Sequence, residues 1–283
     1  MTTFIIGGTS SIGTFLKPAL SGFSKVITAG RKNCDVLFDL NNPSEKIIFP
    51  DDVDAIVHTA AHFGGNLPDE IIDAVKVNVL GTLKICHSAL DAKAKHFILI
   101  SSIYAGLNES SGQFNIYSLS KKHAEDVAVY FCRKNSIPLT ILRPSPIYGI
   151  GANFHKHQPF FYSMIDKAEK GEDILLYGSH DPVRNYIYID DLVNIIAKVI
   201  QNKIEGTYTC TQTIDVTYSQ IAHAAFAAFN KKGTVKFMKD KPDISDYVFQ
   251  KDDSLYKKIN FFPSVSIEEG LKKIAQSRKG ITA

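Results

Sequence analysis

The 283-residue chain has little cysteine: Cys34, Cys86, Cys132 and Cys210 are the only four, and no two form a CxxC pair. That scarcity argues against a zinc site or a disulfide framework and for a reducing compartment. Long hydrophobic runs are missing as well. The longest, Phe97 to Ile100 and Ile195 to Ile200 with Lys198 inside it, fall far short of a membrane span. Met1 to Ile6 holds no basic region and no long apolar stretch. No signal peptide is therefore expected, and a cytoplasmic protein without membrane contact is. An excess of one charge is also lacking, because 32 Lys and Arg against 29 Asp and Glu leave only +3. So even a balance gives no sign of nucleic-acid binding. Repeats and low-complexity tracts are absent too.

What is present is ordinary for a folded chain: 45% hydrophobic and 22% charged residues. At roughly 150 residues per domain, this length means one large domain or two small ones. The first half alternates short apolar runs with helix-length segments. Phe4 to Ile6, Val26 to Ala29, Ala55 to Val57, Phe97 to Ile100 and Leu139 to Leu142 read as strands. Ser11 to Leu20, Ile71 to Leu90 and Ser118 to Lys134 read as helices, with Pro18 an awkward member of the first. Strands without clean alternation, separated by helices, predict an α/β fold: a doubly wound, Rossmann-like parallel sheet. After about residue 146 the segments become less regular and richer in aromatics. This predicts a dinucleotide-binding domain over 1–146, rejoined by part of 184–202, and a smaller α/β substrate lobe over 147–283. Arg278 to Ala283 reads as a loose tail.

Between the first strand and first helix lies Gly7-Gly8-Thr9-Ser10-Ser11-Ile12-Gly13. Backbone N–H groups at a helix start, backed by the helix dipole, suit a pyrophosphate. The GxGxxG pattern is absent, and Thr14 after Gly13 excludes a P-loop. The second strand ends in Gly30-Arg31-Lys32. Two cations there, where an acid would hold a ribose hydroxyl, favour NADP over NAD, with NAD still possible. The alternative is that both are solvated loop charges.

Tyr117 and Lys121 are spaced to share one helix face. An ammonium near a phenol lowers its pKa, so such a pair can exchange a proton with a carbonyl oxygen. Ser101 and Ser102 follow a buried strand, at the end where open α/β sheets bind ligands, and one of them can donate to that oxygen. His155-Lys156-His157 lacks a carboxylate cluster, so no metal site is expected. His58 and His62 flank the proposed cofactor loop as structural or substrate-facing groups.

With these parts in order, the sequence resembles the extended short-chain dehydrogenase/reductase family, in its NAD-dependent epimerase/dehydratase group acting on nucleotide sugars. The glycine segment is similar to that family's GxxGxxG loop, with Ser10 in place of the middle glycine. Asp39-Leu40 resembles the pair near the adenine, and Asp54 to Ala61 the strand and loop beneath the cofactor. Asn78-Val79-Leu80-Gly81-Thr82, Leu142 to Gly149, Arg184 to Asp191 and Ser266 to Leu271 resemble later family segments. The resemblance implies cofactor contacts from Gly7, Thr9, Ser10, Ser11, Ile12, Gly13, Arg31, Lys32, Asp39, Leu40, Thr59, Ala60, Ala61, Asn78, Tyr117, Lys121, Pro144 and Ile147. It implies that Tyr117 is the acid–base group, that Lys121 tunes it, and that Ser102, or else Ser101, polarises the substrate oxygen. Substrate contacts are expected from His62, Tyr104, Ser145, His157 and Arg184, the last gripping a diphosphate bidentately.

Departures narrow the chemistry. Family dehydratases carry an Asp-Glu pair after the active-site hydroxyl, and here Ile103 and Tyr104 stand there. Pro146 replaces an Asn that touches substrate in many relatives. The expectation is an NADP-preferring reductase of a nucleotide-linked 4-keto sugar. A nucleotide-sugar 4-epimerase holding NAD is the alternative, and a non-catalytic NADP-sensing scaffold the third. A homodimer is expected through the helix of Ser118 to Lys134, as in relatives.

Overall fold

Runs of mostly apolar residues become the strands of one parallel sheet. In the computed structural model, which describes residues 1–42, 46–50 and 53–280, these are β1 (Thr2–Ile6), β2 (Lys25–Gly30), β3 (Val36–Leu37), β4 (Ala55–His58), β5 (Phe97–Ile100) and β6 (Leu139–Pro144). The strand Gly206–Cys210 completes the sheet, in the order Gly206–Cys210, β6, β5, β4, β1, β2, β3. Every pairing is parallel. β4 and β5 are buried at every position, because helices cover both faces of the sheet, so their sequences do not alternate. The strand order reverses between β1 and β4, and sheets of this kind bind ligands beyond the carboxyl ends of the strands at such a reversal.

The chain divides into two compact units. The first is Met1–Pro144, Val193–Cys210 and Asp252–Phe261; the second is Ser145–Leu192, Thr211–Lys251 and Phe262–Ala283. The returning stretch Val193–Cys210 overlaps the expected 184–202 and runs beyond it, and Asp252–Phe261 also falls in the first unit. Gly206–Cys210 belongs to the first unit because it pairs along β6 from Thr140 to Pro144. Residues 252–261 follow it, with Lys258 donating to the Tyr208 hydroxyl at 2.8 Å and lying over its ring.

Helix α1 (Ser11–Leu20) starts where the Ser10 side chain accepts from the Gly13 N–H, and it buries Ile12, Leu16 and Leu20. Pro18 lies inside the helix, which ends two residues later. The helical pattern over 71–90 resolves into α2 (Pro68–Ala74), a π-helical turn (Val75–Leu80) and α3 (Gly81–Asp91). Such turns re-aim side chains and recur at functional sites; here the buried residue is Asn78. Helix α4 (Ile116–Lys134) is capped by Asn115, whose side chain accepts from the Ser118 N–H.

The first unit's core joins Phe4, Ile6, Ile56, Phe97, Leu99 and Ile141 of the sheet with Ile85, Ala89 and Ala128 of α3 and α4. Two cysteines that are isolated in sequence meet there. The hydrogen bond with Cys132, together with burial, pushes the Cys86 thiol far above its ordinary range. All four cysteines are free. Buried protonated thiols of this kind are unreactive.

Two histidines are also buried, His58 at 1% and His96 at 3% exposure. Burial pushes the first down to about 3, with the Lys121 charge adding to it, and the second down to about 4. In the unfolded chain both titrate near their ordinary 6.5. Below that pH the unfolded chain therefore binds more protons than the folded one, and stability falls as pH drops from 6.5 towards these values. The expected slope is at most about 1.4 kcal/mol per pH unit for each histidine. Thermal unfolding followed from pH 7 to 4.5 checks this, and a level midpoint would contradict neutral rings.

In the second unit, short strands pair Ile147–Tyr148 with Ile187–Tyr188, Val183–Arg184 with Val216–Thr217, and Ile174–Tyr177 with Val235–Met238. The aromatics conspicuous in this half of the sequence are largely its core. Phe161 lies 5.2 Å from Tyr148 and 4.7 Å from Tyr186, centroid to centroid. Arg278, expected in a loose tail, instead ends the helix Ile267–Arg278 and reaches Asp166 at 2.9 Å and Glu169 at 2.6 Å. The rest of that expected tail beyond residue 280 lies outside the described residues. Among the described residues no helix is long and apolar enough to cross a membrane, and no group of three or more His, Cys, Asp or Glu is placed to hold a metal.

Candidate functional site

The glycine loop is closed by tight packing. Gly7 has φ +88° and donates its N–H to the Ala29 carbonyl at 2.8 Å. A Cβ on Gly13 would stand 2.3 Å from the Gly7 carbonyl oxygen, so only glycine brings the helix start this close to the loop. Thr59, beyond β4, donates to the Ile6 carbonyl and meets the Ser10 hydroxyl at 2.9 Å, which locks the loop to the neighbouring strand. Ser10 is thus engaged as a cap. Ser11 differs: its Oγ is buried and has no hydrogen-bond partner among the described residues. Glycine backbone at a helix N-terminus with a buried, unengaged hydroxyl fits a dinucleotide pyrophosphate. Thr9 is exposed and Ile12 is buried in the core.

Past β2, Arg31 and Lys32 are both exposed, and neither forms an ion pair among the described residues. A carboxylate does lie close by, contrary to a reading confined to Gly30-Arg31-Lys32. Asp35 folds back and accepts from the Thr28 N–H at 2.8 Å and hydroxyl at 2.7 Å. Those bonds and Lys17 hold it down to about 2. Its Oδ2 is therefore turned onto β2 itself. Asp39 accepts from the Asn41 N–H, and Leu40 packs beside Gly81.

Asn78 fastens the loop after β4. Its Oδ1 accepts from the His62 N–H at 2.8 Å, and its Nδ2 donates to the His62 carbonyl at 2.7 Å and the Ser120 hydroxyl at 2.9 Å. It acts on a ligand through the loop it holds, since its amide is fully engaged. Ala60 donates its N–H to the Ile6 carbonyl, while Ala61 is exposed. The His62 Nδ1 accepts from the Gly64 N–H at 3.0 Å.

Ser102, Tyr117 and Lys121 converge beyond β5. Ser102 caps a short 3-10 turn (Ile103–Gly106) and hydrogen-bonds the Tyr117 hydroxyl. Ser101 points its Oγ elsewhere, buried and without a partner among the described residues. The Lys121 ammonium is buried and donates to the Ile100 carbonyl at 2.7 Å. Burial lowers Lys121 to about 8, opposed by Glu125. Burial raises Tyr117 to about 12, opposed by the Ser102 hydrogen bond and reinforced by Tyr104. The expected lowering of the phenol is thus reversed in this state, because desolvation of the phenolate dominates. At neutral pH Tyr117 is a protonated acid.

Sequence reasoning missed two residues here, Glu125 and Phe63, while Tyr104 was expected among the substrate contacts. Glu125, 3% exposed, lies one turn beyond Lys121 on the same face of α4 and receives both Nε and Nη2 of Arg143 from β6. Its only sequence signal is the eight-residue spacing from Tyr117. Phe63 stacks on Tyr117 with centroids 4.8 Å apart and planes 17° apart. Tyr104 stands edge-on to Tyr117 at 6.3 Å.

Pro144 is buried at the end of β6 in the first unit, whereas Ser145, Ile147, His157 and Arg184 lie in the second. The Ser145 Oγ is buried without a partner among the described residues. His157 is half-buried at the end of the helix Ala152–His157, where burial lowers its pKa. Arg184 donates Nε to the Tyr218 hydroxyl at 2.9 Å and Nη1 to the carbonyls of Val183 and Ser245, with its guanidinium over the Tyr218 ring. Among the described residues this leaves Nη2 for a ligand, so the expected bidentate grip would require one of these bonds to break.

A family model described as "NAD dependent epimerase/dehydratase family" matches residues 3–210. CDP-abequose synthase from Salmonella typhimurium is 24% identical over 150 residues, 53% of this chain and 49% of that protein. The chain thus spans about half the length of that relative. UDP-glucuronic acid 4-epimerase from Bacillus cereus, solved in complex with NAD, has a TM-score of 0.79 at 17% identity, covering 100% of this chain and 99% of that one. RMD from Pseudomonas aeruginosa, complexed with NADPH, has a TM-score of 0.78 at 15% identity, covering 98% and 100%.

Proposed function

The chain belongs to the NAD dependent epimerase/dehydratase family, and on that premise we propose that it is an NADP-preferring reductase of a keto sugar carried on a nucleotide diphosphate. The observation that carries this is Tyr117, a protonated phenol hydrogen-bonded to Ser102 one helical turn from the buried Lys121. A bound nicotinamide cofactor supplies the hydride that the carbonyl carbon accepts. The Ser102 hydroxyl donates to the carbonyl oxygen and fixes it beside Tyr117. Tyr117 gives that oxygen its proton, so C=O becomes CH–OH. The phenolate left behind is stabilised by the Lys121 ammonium and regains its proton from solvent. Ile103 and Tyr104 offer no carboxylates after Ser102, which disfavours elimination of water.

Gly7, Ser11 and Gly13 would hold the pyrophosphate, and Arg31 and Lys32 a 2′-phosphate. Replacing Arg31 by Ala is expected to weaken NADPH binding roughly tenfold, the value of one charge-assisted hydrogen bond, while changing NADH binding little. Titration of both cofactors checks this, and equal losses would remove the argument for NADP. Arg184, through Nη2, and Ser145 would meet the substrate diphosphate. The α4 surface, where Tyr130 is 69% exposed, would pair two copies.

The decisive experiment mixes the protein with NADPH and a panel of nucleotide 4-keto sugars. The reductase consumes NADPH in proportion to sugar reduced. Interconversion of 4-epimers with no net NADPH use would establish the epimerase instead. Cofactor binding with neither outcome would leave a non-catalytic sensor.

A further inference from the structure

The chain leaves β2 at Gly30 and re-enters the sheet as β3, which runs parallel to β2 with Val36 beside Ala29 and Leu37 beside Gly30. Residues 31–35 must therefore turn back down the sheet edge before the chain can rise again. Asn33 makes the reversal in the left-handed region, at φ +52°. Asp35 ends it beside Thr28. Its Oδ2 accepts from the Thr28 N–H at 2.8 Å and from the Thr28 hydroxyl at 2.7 Å, and that hydroxyl in turn accepts from the Asp35 N–H at 3.2 Å. Lys17 of α1 approaches Oδ2 at 3.4 Å, but both side chains are about half exposed, so this pair adds little.

The pinned turn also leans on the glycine loop. A Cβ on Gly8 would stand 3.1 Å from Cys34 Sγ, and one on Gly30 would stand 3.0 Å from it. Arg31 and Lys32 occupy the outer limb of the turn, exposed and in no ion pair among the described residues. Two long cationic side chains on a loose loop lose freedom when they meet an anion, and that loss subtracts from binding. A turn fixed at its returning end has given up its backbone freedom on folding instead. A phosphate then meets cations that are already presented past β2.

We propose that Asp35 is a positioning residue for cofactor choice: through its bonds to Thr28 it latches residues 31–35 onto β2 and so holds Arg31 and Lys32 ready for the 2′-phosphate of NADP. The proposal rests on the NADP reading above and deepens it. Asp35 touches no cofactor atom itself. A carboxylate near a phosphate would by its charge alone oppose binding, so the latch and the charge predict opposite signs for its removal.

The test compares dissociation constants of NADPH and NADH by fluorescence titration. The two cofactors differ only in the 2′-phosphate, so NADH reports any general damage to the site. The parent is expected to bind NADPH more tightly. Asp35→Ala should lower the NADPH preference roughly tenfold, the cost of ordering a long side chain or two on binding. Asp35→Asn keeps an acceptor for Thr28 and loses the charge, so its preference should stay within about threefold of the parent. Thr28→Val keeps the N–H and the branched shape beneath Gly8 but loses the hydroxyl, and should fall between the two. Asp35 is exposed, so its replacement leaves the core intact. An unchanged preference in Asp35→Ala, an equal weakening of both cofactors, or tighter NADPH binding in Asp35→Ala and Asp35→Asn alike overturns the latch alone. A parent without preference for NADPH overturns the NADP reading and the latch together.

Discussion

Replacing Tyr117 by Phe is expected to lower the rate of keto-sugar reduction by about a hundred- to ten-thousand-fold, the usual contribution of a general acid. The substitution removes one oxygen and keeps the ring, so the stack with Phe63 and the edge contact with Tyr104 survive. Binding of NADP should therefore change little, and stopped-flow turnover read beside cofactor titration separates the two effects. The same chemistry predicts a pH dependence. Tyr117 stays protonated up to about 12, so it does not limit reduction in the neutral range. Lys121, lowered to about 8, loses its charge first. As pH rises through that value the phenolate formed in the reaction loses its stabilising cation, and the rate should fall. Full activity of Tyr117→Phe would refute the assignment.

The second large effect is expected at Glu125, which touches no ligand in this mechanism and acts through Lys121. Glu125→Ala removes the partner of a two-pronged Arg143 contact and leaves a largely enclosed guanidinium without its carboxylate. Breaking one side of a buried ion pair of this kind costs about 3–5 kcal/mol, readable in chemical denaturation. Loss of stability alone would accompany any structural role. The functional mark lies in the pH profile. The titratable groups that act on Lys121 are Glu125 on its own helix and His58 from β4, with Arg143 of β6 held through Glu125. Of these Glu125 is the anion that favours the protonated lysine. In Glu125→Ala the alkaline limb should move to lower pH, while Glu125→Asp should restore part of the shift. A destabilised variant with an unmoved alkaline limb would reduce Glu125 to a packing residue.

These two residues show where sequence and fold part. Tyr117 was legible because a helix makes i and i+4 neighbours by its own geometry, and because Ser101 and Ser102 directly follow a strand. The glycine loop was legible for the same kind of reason: strand, turn and helix start are contiguous in the chain. Glu125 pairs with Arg143 across 18 residues and from another element, so no local rule relates them. Phe63 carries no local sequence signal, and its stack on Tyr117 depends on the Asn78 clamp and on the close approach of Gly64 to α4. Cys86 and Cys132 looked isolated for the same reason.

The amino-acid sequence by itself determined the doubly wound parallel sheet, the glycine turn at the start of α1 and the order Ser-Ser then Tyr-x-x-x-Lys. Hydrophobic periodicity and helix spacing act over a few residues and survive without a tertiary context. Only the tertiary structure decided which serine meets the tyrosine, that desolvation raises the phenol where a neighbouring lysine alone would lower it, and that residues 193–210 and 252–261 belong with the sheet. Those outcomes depend on burial and on contacts between distant segments. The little that the chain contains of cysteine and of excess charge said which classes to set aside; where its few buried charges stand was a matter of folding.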